Sequence, residues 1–66
     1  MNILVNGHPK DFPEAHNLKN IIEQLCAQTS RVMAEVNGKI IRSPQWESTP
    51  LKDGDKIELV SFVGGG

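Results

Sequence analysis

The chain has 66 residues, with seven Lys plus Arg against eight Asp plus Glu and a single cysteine. A chain this short forms one domain and buries only about 60% of its unfolded surface, so a core and a deep catalytic pocket do not both fit. A binding or carrier module is favoured over a stand-alone enzyme. The near-balanced charge, without a basic run, argues against a nucleic-acid partner, and no apolar run reaches the length of a membrane span. One cysteine excludes an intrachain disulfide. The start "MNILVNG" has neither a charged leader nor a signal-peptide core, so a cytoplasmic location is expected.

The opening "MNILVN" alternates with period two, placing Met1, Ile3 and Val5 on one face and Asn2, Leu4 and Asn6 on the other. Asn6-Gly7 predicts a two-residue hairpin turn, since both residues tolerate positive φ. A second strand is expected over His8 to Phe12. Pro9 removes a backbone donor from it and assigns it to a sheet edge. Asn17 is placed to cap a helix. Leu18, Ile21, Ile22, Leu25 and Cys26 then recur at helical spacing, predicting one apolar stripe over about three turns.

"RVMAEV" returns to alternation, with Val32, Ala34 and Val36 inward and Met33 and Glu35 outward. Asn37-Gly38 predicts a second hairpin leading into Lys39 to Arg42. "SPQWESTPL" is irregular, broken by Pro44 and Pro50, and a short turn there brings Trp46 or Leu51 to the core rim. "DGD", Asp53 to Asp55, is a tight turn before the last strand, "KIELVSFV".

The order is β-β-α-β-β-β, an α+β pattern. One helix laid across a mixed sheet of four to five strands is the economical arrangement, with the first and last strands parallel at its centre. This is the β-grasp architecture of ubiquitin-like domains. The domain is expected to span residues 1–63, with 64–66 as a tail that is mobile when free.

Two registers are open to the last strand. One turns Ile57, Leu59, Ser61 and Val63 inward; the other would bury Lys56 and Glu58 without evident partners, at several kcal/mol. The first is therefore expected. It leaves Val60 and Phe62 on the solvent face, beside Leu4 and Met33, as a contiguous apolar patch of the kind that marks a contact site. The patch precedes Gly64, Gly65 and Gly66, three residues with nothing to pack and a large ordering entropy.

Other chemistry-bearing residues have ordinary readings. Cys26 lies on the apolar helix stripe and reads as packing before a sulfur relay. His8 and His16 lack a third ligand at metal spacing. "DGD" lacks the remaining ligands of a calcium loop. Trp46 reads as rim packing, with a partner surface as the alternative. No nucleophile triad, phosphate loop or CxxC pair is present.

Taken together, "MNILVNG", "NLKNIIEQL", "VNGKII", the Trp of "SPQW", "LKDGDKIELV" and the terminal Gly65-Gly66 resemble bacterial ThiS, the sulfur carriers of thiamine thiazole synthesis. Asn17 stands where such carriers often have a Thr cap. The resemblance covers the whole chain. It implies a carrier, not an enzyme, that binds no cofactor itself. An E1-like, ThiF-type adenylyltransferase would use ATP to join the Gly66 carboxylate to AMP. A persulfide sulfur donor would then displace AMP, leaving a C-terminal thiocarboxylate. A ThiG-type thiazole synthase would take that sulfur into the thiazole ring. Val60, Phe62, Leu4 and Met33 would dock the partners, and Gly64 and Gly65 would thread into their active sites. The alternatives are a carrier of the molybdopterin synthase small-subunit type and a ubiquitin-like interaction module that carries nothing.

Overall fold

Both Asn-Gly pairs form the turns their chemistry favours. Asn6 and Gly7 have φ of 50° and 82°, and Asn37 and Gly38 have φ of 52° and 85°. Positive φ at both central residues is the turn whose twist matches paired strands. The first turn joins β1 (Asn2–Val5) to β2 (His8–Asp11), with Val5 opposite His8 and Leu4 opposite Pro9. The second joins β3 (Val32–Val36) to β4 (Lys39–Ile41), with Val36 opposite Lys39. The last strand, β5, runs from Lys56 to Ser61. The structure, a computed structural model, describes residues 1–61. The expected boundary between residues 63 and 64 lies outside the described residues.

The sheet has five strands in the order β2-β1-β5-β3-β4. β1 and β5 are parallel and every other pairing is antiparallel. Pro9 lies on the edge strand, as its missing donor requires. β5 is central, flanked by β1 at its start and by β3 from Ile57 to Ser61.

The helix α1 (Leu18–Leu25) covers one face of the sheet. It buries Leu18, Ile21 and Ile22 completely against Ile3, Val5, Ala34 and Ile57. Asn17 caps it as expected, accepting from the Asn20 N–H at 2.9 Å, and the Asn20 side chain returns the bond to the Asn17 N–H. The next two orphan N–H groups are met by a distant loop: Leu18 donates to the Thr49 carbonyl and Lys19 to that of Trp46.

The helix is shorter than the stripe predicts, at eight residues. Leu25 is exposed, and Cys26 is already extended, packing on the core edge. Only Cys26 to Arg31 carry the chain from the helical layer back to β3, and part of that stretch must be extended to supply the reach.

Trp46 is deeper than a rim residue. A 3₁₀ turn at Ser43–Gln45 delivers it into the core, where its indole N–H donates to the Ile41 carbonyl at 3.0 Å. Leu51 packs against the same cluster, half-buried.

Candidate functional site

The sheet face away from the helix carries the candidate site, and the β5 register decides its content. Ile57 is buried and Leu59 is half-buried against the core, while Lys56, Glu58 and Val60 face solvent, as the cost of burying Lys56 and Glu58 dictates. Ser61 is exposed at the end of the inward-facing row. Phe62, Val63 and the glycines Gly64, Gly65 and Gly66 lie outside the described residues.

Of the expected apolar patch, the structure brings together Val60 and Met33. They are direct cross-strand partners, 53% and 40% exposed. It does not bring Leu4 beside them. Leu4 is opposite Lys56, four residues before Val60, or about 13 Å along the strand at 3.3 Å per residue. Leu4 is also half-buried. The expected contiguity of Leu4 with Val60 is therefore corrected. β1 ends at Val5, where its hairpin turns away, and cannot accompany β5 as far as Val60.

Ile40 extends the patch on the other side and was not anticipated. It is 57% exposed, opposite Glu35 and diagonal to Met33. The signal was available: a two-residue turn at Asn37-Gly38 pairs residue 36 with 39, and so 35 with 40. Met33 and Ile40 also border an open cleft of about 570 Å³, with Val32 and Ile41 in its wall and Arg42 among its lining residues. On the same face Glu35 lies directly opposite Glu58.

The two turn asparagines do more than form turns: their carboxamides also hold β5. At the tail end, the Asn6 backbone N–H donates to the Ile57 carbonyl at 2.9 Å. Its carboxamide oxygen accepts from the Leu59 N–H at 2.8 Å, and its NH₂ donates to the Leu59 carbonyl at 3.2 Å. At the other end, Asn37 accepts from the Lys56 N–H at 3.0 Å and donates to Asp55 at 3.1 Å.

Asp55, the second acid of "DGD", is 5% exposed, a buried charge as well as a turn residue. It accepts from the Lys52 backbone N–H at 2.9 Å, from the Lys52 ammonium at 3.0 Å, and from Asn37. Burial pushes its carboxyl up, but the hydrogen bonds from Asn37 and Lys52, with the Lys52 charge, outweigh burial and hold it below the ordinary aspartate value. Gly54, at φ 89°, makes the turn possible, and its N–H donates to the Asn2 carbonyl. This network fixes where β5 begins.

Among the described residues, one α-helix grasped by a five-stranded mixed sheet, with parallel first and last strands at its centre, defines a ubiquitin-like β-grasp domain. The sequence model of the ThiS family matches residues 3–66, and the chain belongs to that family. Its fold matches the crystal structure of a thiamine biosynthesis protein (ThiS) from Geobacter metallireducens with a TM-score of 0.82, at 36% identity and full coverage of both chains. The sulfur carrier protein ThiS of Escherichia coli is 27% identical over 66 residues, all of both proteins. A thiazole synthase of Paramagnetospirillum magneticum is 29% identical over 66 residues, and there the whole chain spans only 20% of the relative's length.

Proposed function

We propose that this chain carries sulfur for the thiazole ring of thiamine on its C-terminal carboxylate. The observation that supports the reading most is the end-to-end alignment, Gly66 included, with a protein named as the sulfur carrier ThiS. The thiazole synthase that contains a matching stretch supports a ThiG-type enzyme as the sulfur acceptor.

The chemistry follows from the weakness of a carboxylate as an electrophile, whose leaving group would be oxide. A ThiF-type adenylyltransferase uses ATP: a Gly66 carboxylate oxygen attacks the α-phosphorus and pyrophosphate leaves. The terminal sulfur of a persulfide then attacks the acyl carbon and AMP leaves. A thiol cleaves the resulting S–S bond, forming a disulfide and freeing the thiocarboxylate as a nucleophilic sulfur. The chain acts throughout as a co-substrate. Glycine at 64–66 suits passage through two different narrow active sites, because no side chain obstructs either one. Ordering such a segment costs roughly 1–2 kcal/mol per residue, which docking of the folded body offsets. Met33, Val60 and Ile40 offer the exposed apolar surface for it.

The test is intact mass after incubation with a ThiF-type enzyme, ATP, a persulfide donor and a thiol. The expected product has one oxygen replaced by sulfur at Gly66. Deleting Gly66, or adding one residue after it, should leave melting unchanged and abolish AMP transfer, since even a ~1 Å misplacement can cost ~100-fold. Normal AMP transfer to the extended chain overturns the reading.

A further inference from the structure

We propose that Asn6 is a positioning residue for the C-terminal reaction: its carboxamide replaces the strand that β1 fails to provide and holds β5 at Leu59, upstream of the reactive end, on the side away from β3. The inference rests on the proposed carrier function for its chemistry, and on the β5 geometry for its mechanism.

Along its β1 side, β5 is bonded at alternate residues. The Asp55 carbonyl accepts from Leu4 N–H at 3.0 Å, and the Ile57 carbonyl accepts from Asn6 N–H at 2.9 Å. The next position is Leu59. A continuing β1 would bond its N–H and carbonyl, but the chain turns at Asn6-Gly7. The Asn6 side chain makes both bonds instead, one donated and one accepted, as a peptide group would. It does so from φ 50°, a conformation that asparagine adopts more readily than most residues.

Beyond Leu59, Val60 and Ser61 are paired with Met33 and Val32 of β3, and residues 60–66 lead to the reacting carboxylate. Seven residues reach at most ~25 Å, so a shift or tilt of β5 at Leu59 carries through the strand to the reacting end and moves it relative to a partner docked on β3 and β4. Asn37 provides the internal comparison. It makes similar carboxamide bonds to β5, but at Lys56 and Asp55, where the strand begins.

The experiment compares Asn6→Gly, Asn6→Asp and Asn37→Gly in the full chain. Glycine removes each carboxamide and accepts the positive φ without strain. Two quantities are read: amide hydrogen exchange at Leu59, and kcat and KM for AMP transfer by a ThiF-type adenylyltransferase with saturating ATP. Asn6→Gly should raise Leu59 exchange at least ~10-fold and lower kcat ~10- to 100-fold while KM changes less than about threefold, because Met33 and Ile40 of the docking face stand on β3 and β4 and Val60 keeps its pairing with Met33. Asn6→Asp keeps an acceptor for the Leu59 N–H and should recover part of both effects. Asn37→Gly should lower the melting temperature yet leave kcat within about threefold of the parent.

Unchanged Leu59 exchange in Asn6→Gly overturns the clamp. Faster exchange with unchanged kcat overturns the positioning role, as does an equal loss of kcat in Asn37→Gly. Absence of AMP transfer to the parent chain overturns the carrier reading and the positioning role with it. The exchange data would still report on the clamp.

Discussion

Replacing Asp55 by alanine removes the acceptor for three donors. They do not count equally. The Lys52 side chain is 81% exposed, so its ammonium regains water and its loss contributes ~0–1 kcal/mol. The Lys52 backbone N–H and the Asn37 amide are part-buried, and each loses a bond to a charged group. Taking the lower part of the usual range, about 1–1.5 kcal/mol apiece, the substitution should cost about 2–4 kcal/mol in all. A domain of this size shifts by ~4–8 °C per kcal/mol, so melting should fall by at least ~8 °C. The same carboxylate imposes a pH dependence. Its folded pKa is depressed, so its stabilisation is fully present above the unfolded value of ~3.9 and is lost as pH falls through the lower folded value. Asp55→Asn should therefore flatten the acid limb of stability below about pH 4. Urea titrations followed by circular dichroism at several pH values measure both effects. A cycle with Asn37→Ala should show a coupling of ~0.5–3 kcal/mol. A cost for Asp55→Ala within ~0.5 kcal/mol, the range of ordinary surface changes, would refute the reasoning. So would an acid limb unaltered in Asp55→Asn.

Ile57 and Val60 test the strand register together. Ile57→Ala should cost ~2–5 kcal/mol through a core cavity, enough to unfold much of so small a domain, whereas Val60→Ala should cost under ~1 kcal/mol and, on the proposed carrier function, weaken binding to a ThiF-type adenylyltransferase in a titration. Trp46→Phe removes the donor to the Ile41 carbonyl and part of the core volume, and should cost ~1–3 kcal/mol by chemical denaturation. Its unfolding must be followed by circular dichroism, because Trp46 is the chain's one tryptophan.

Features set by neighbours in the chain were legible in the sequence. Each Asn-Gly turn fixes its hairpin register, because a two-residue loop leaves no slack; pairing Glu35 with Ile40 follows from it directly. Asn17 marks the helix start, and Pro9 marks a sheet edge. The cost of burying Lys56 and Glu58 settles which face of β5 turns inward. The sequence could not set the stagger of β1 against β5. These parallel strands are far apart in the chain, and no loop joins them to impose a register. Core packing of Ile3, Val5 and Ile57 decides it, aided by the Asn6 and Asp55 bonds, and so separates Leu4 from Val60. The depth of Trp46 depends likewise on a carbonyl at Ile41 and on helix N–H groups that the 46–49 loop must meet. Asp55 reads as a turn acid until Asn37 and Lys52 are brought around it, for a buried charge is tolerated only once its partners are in place.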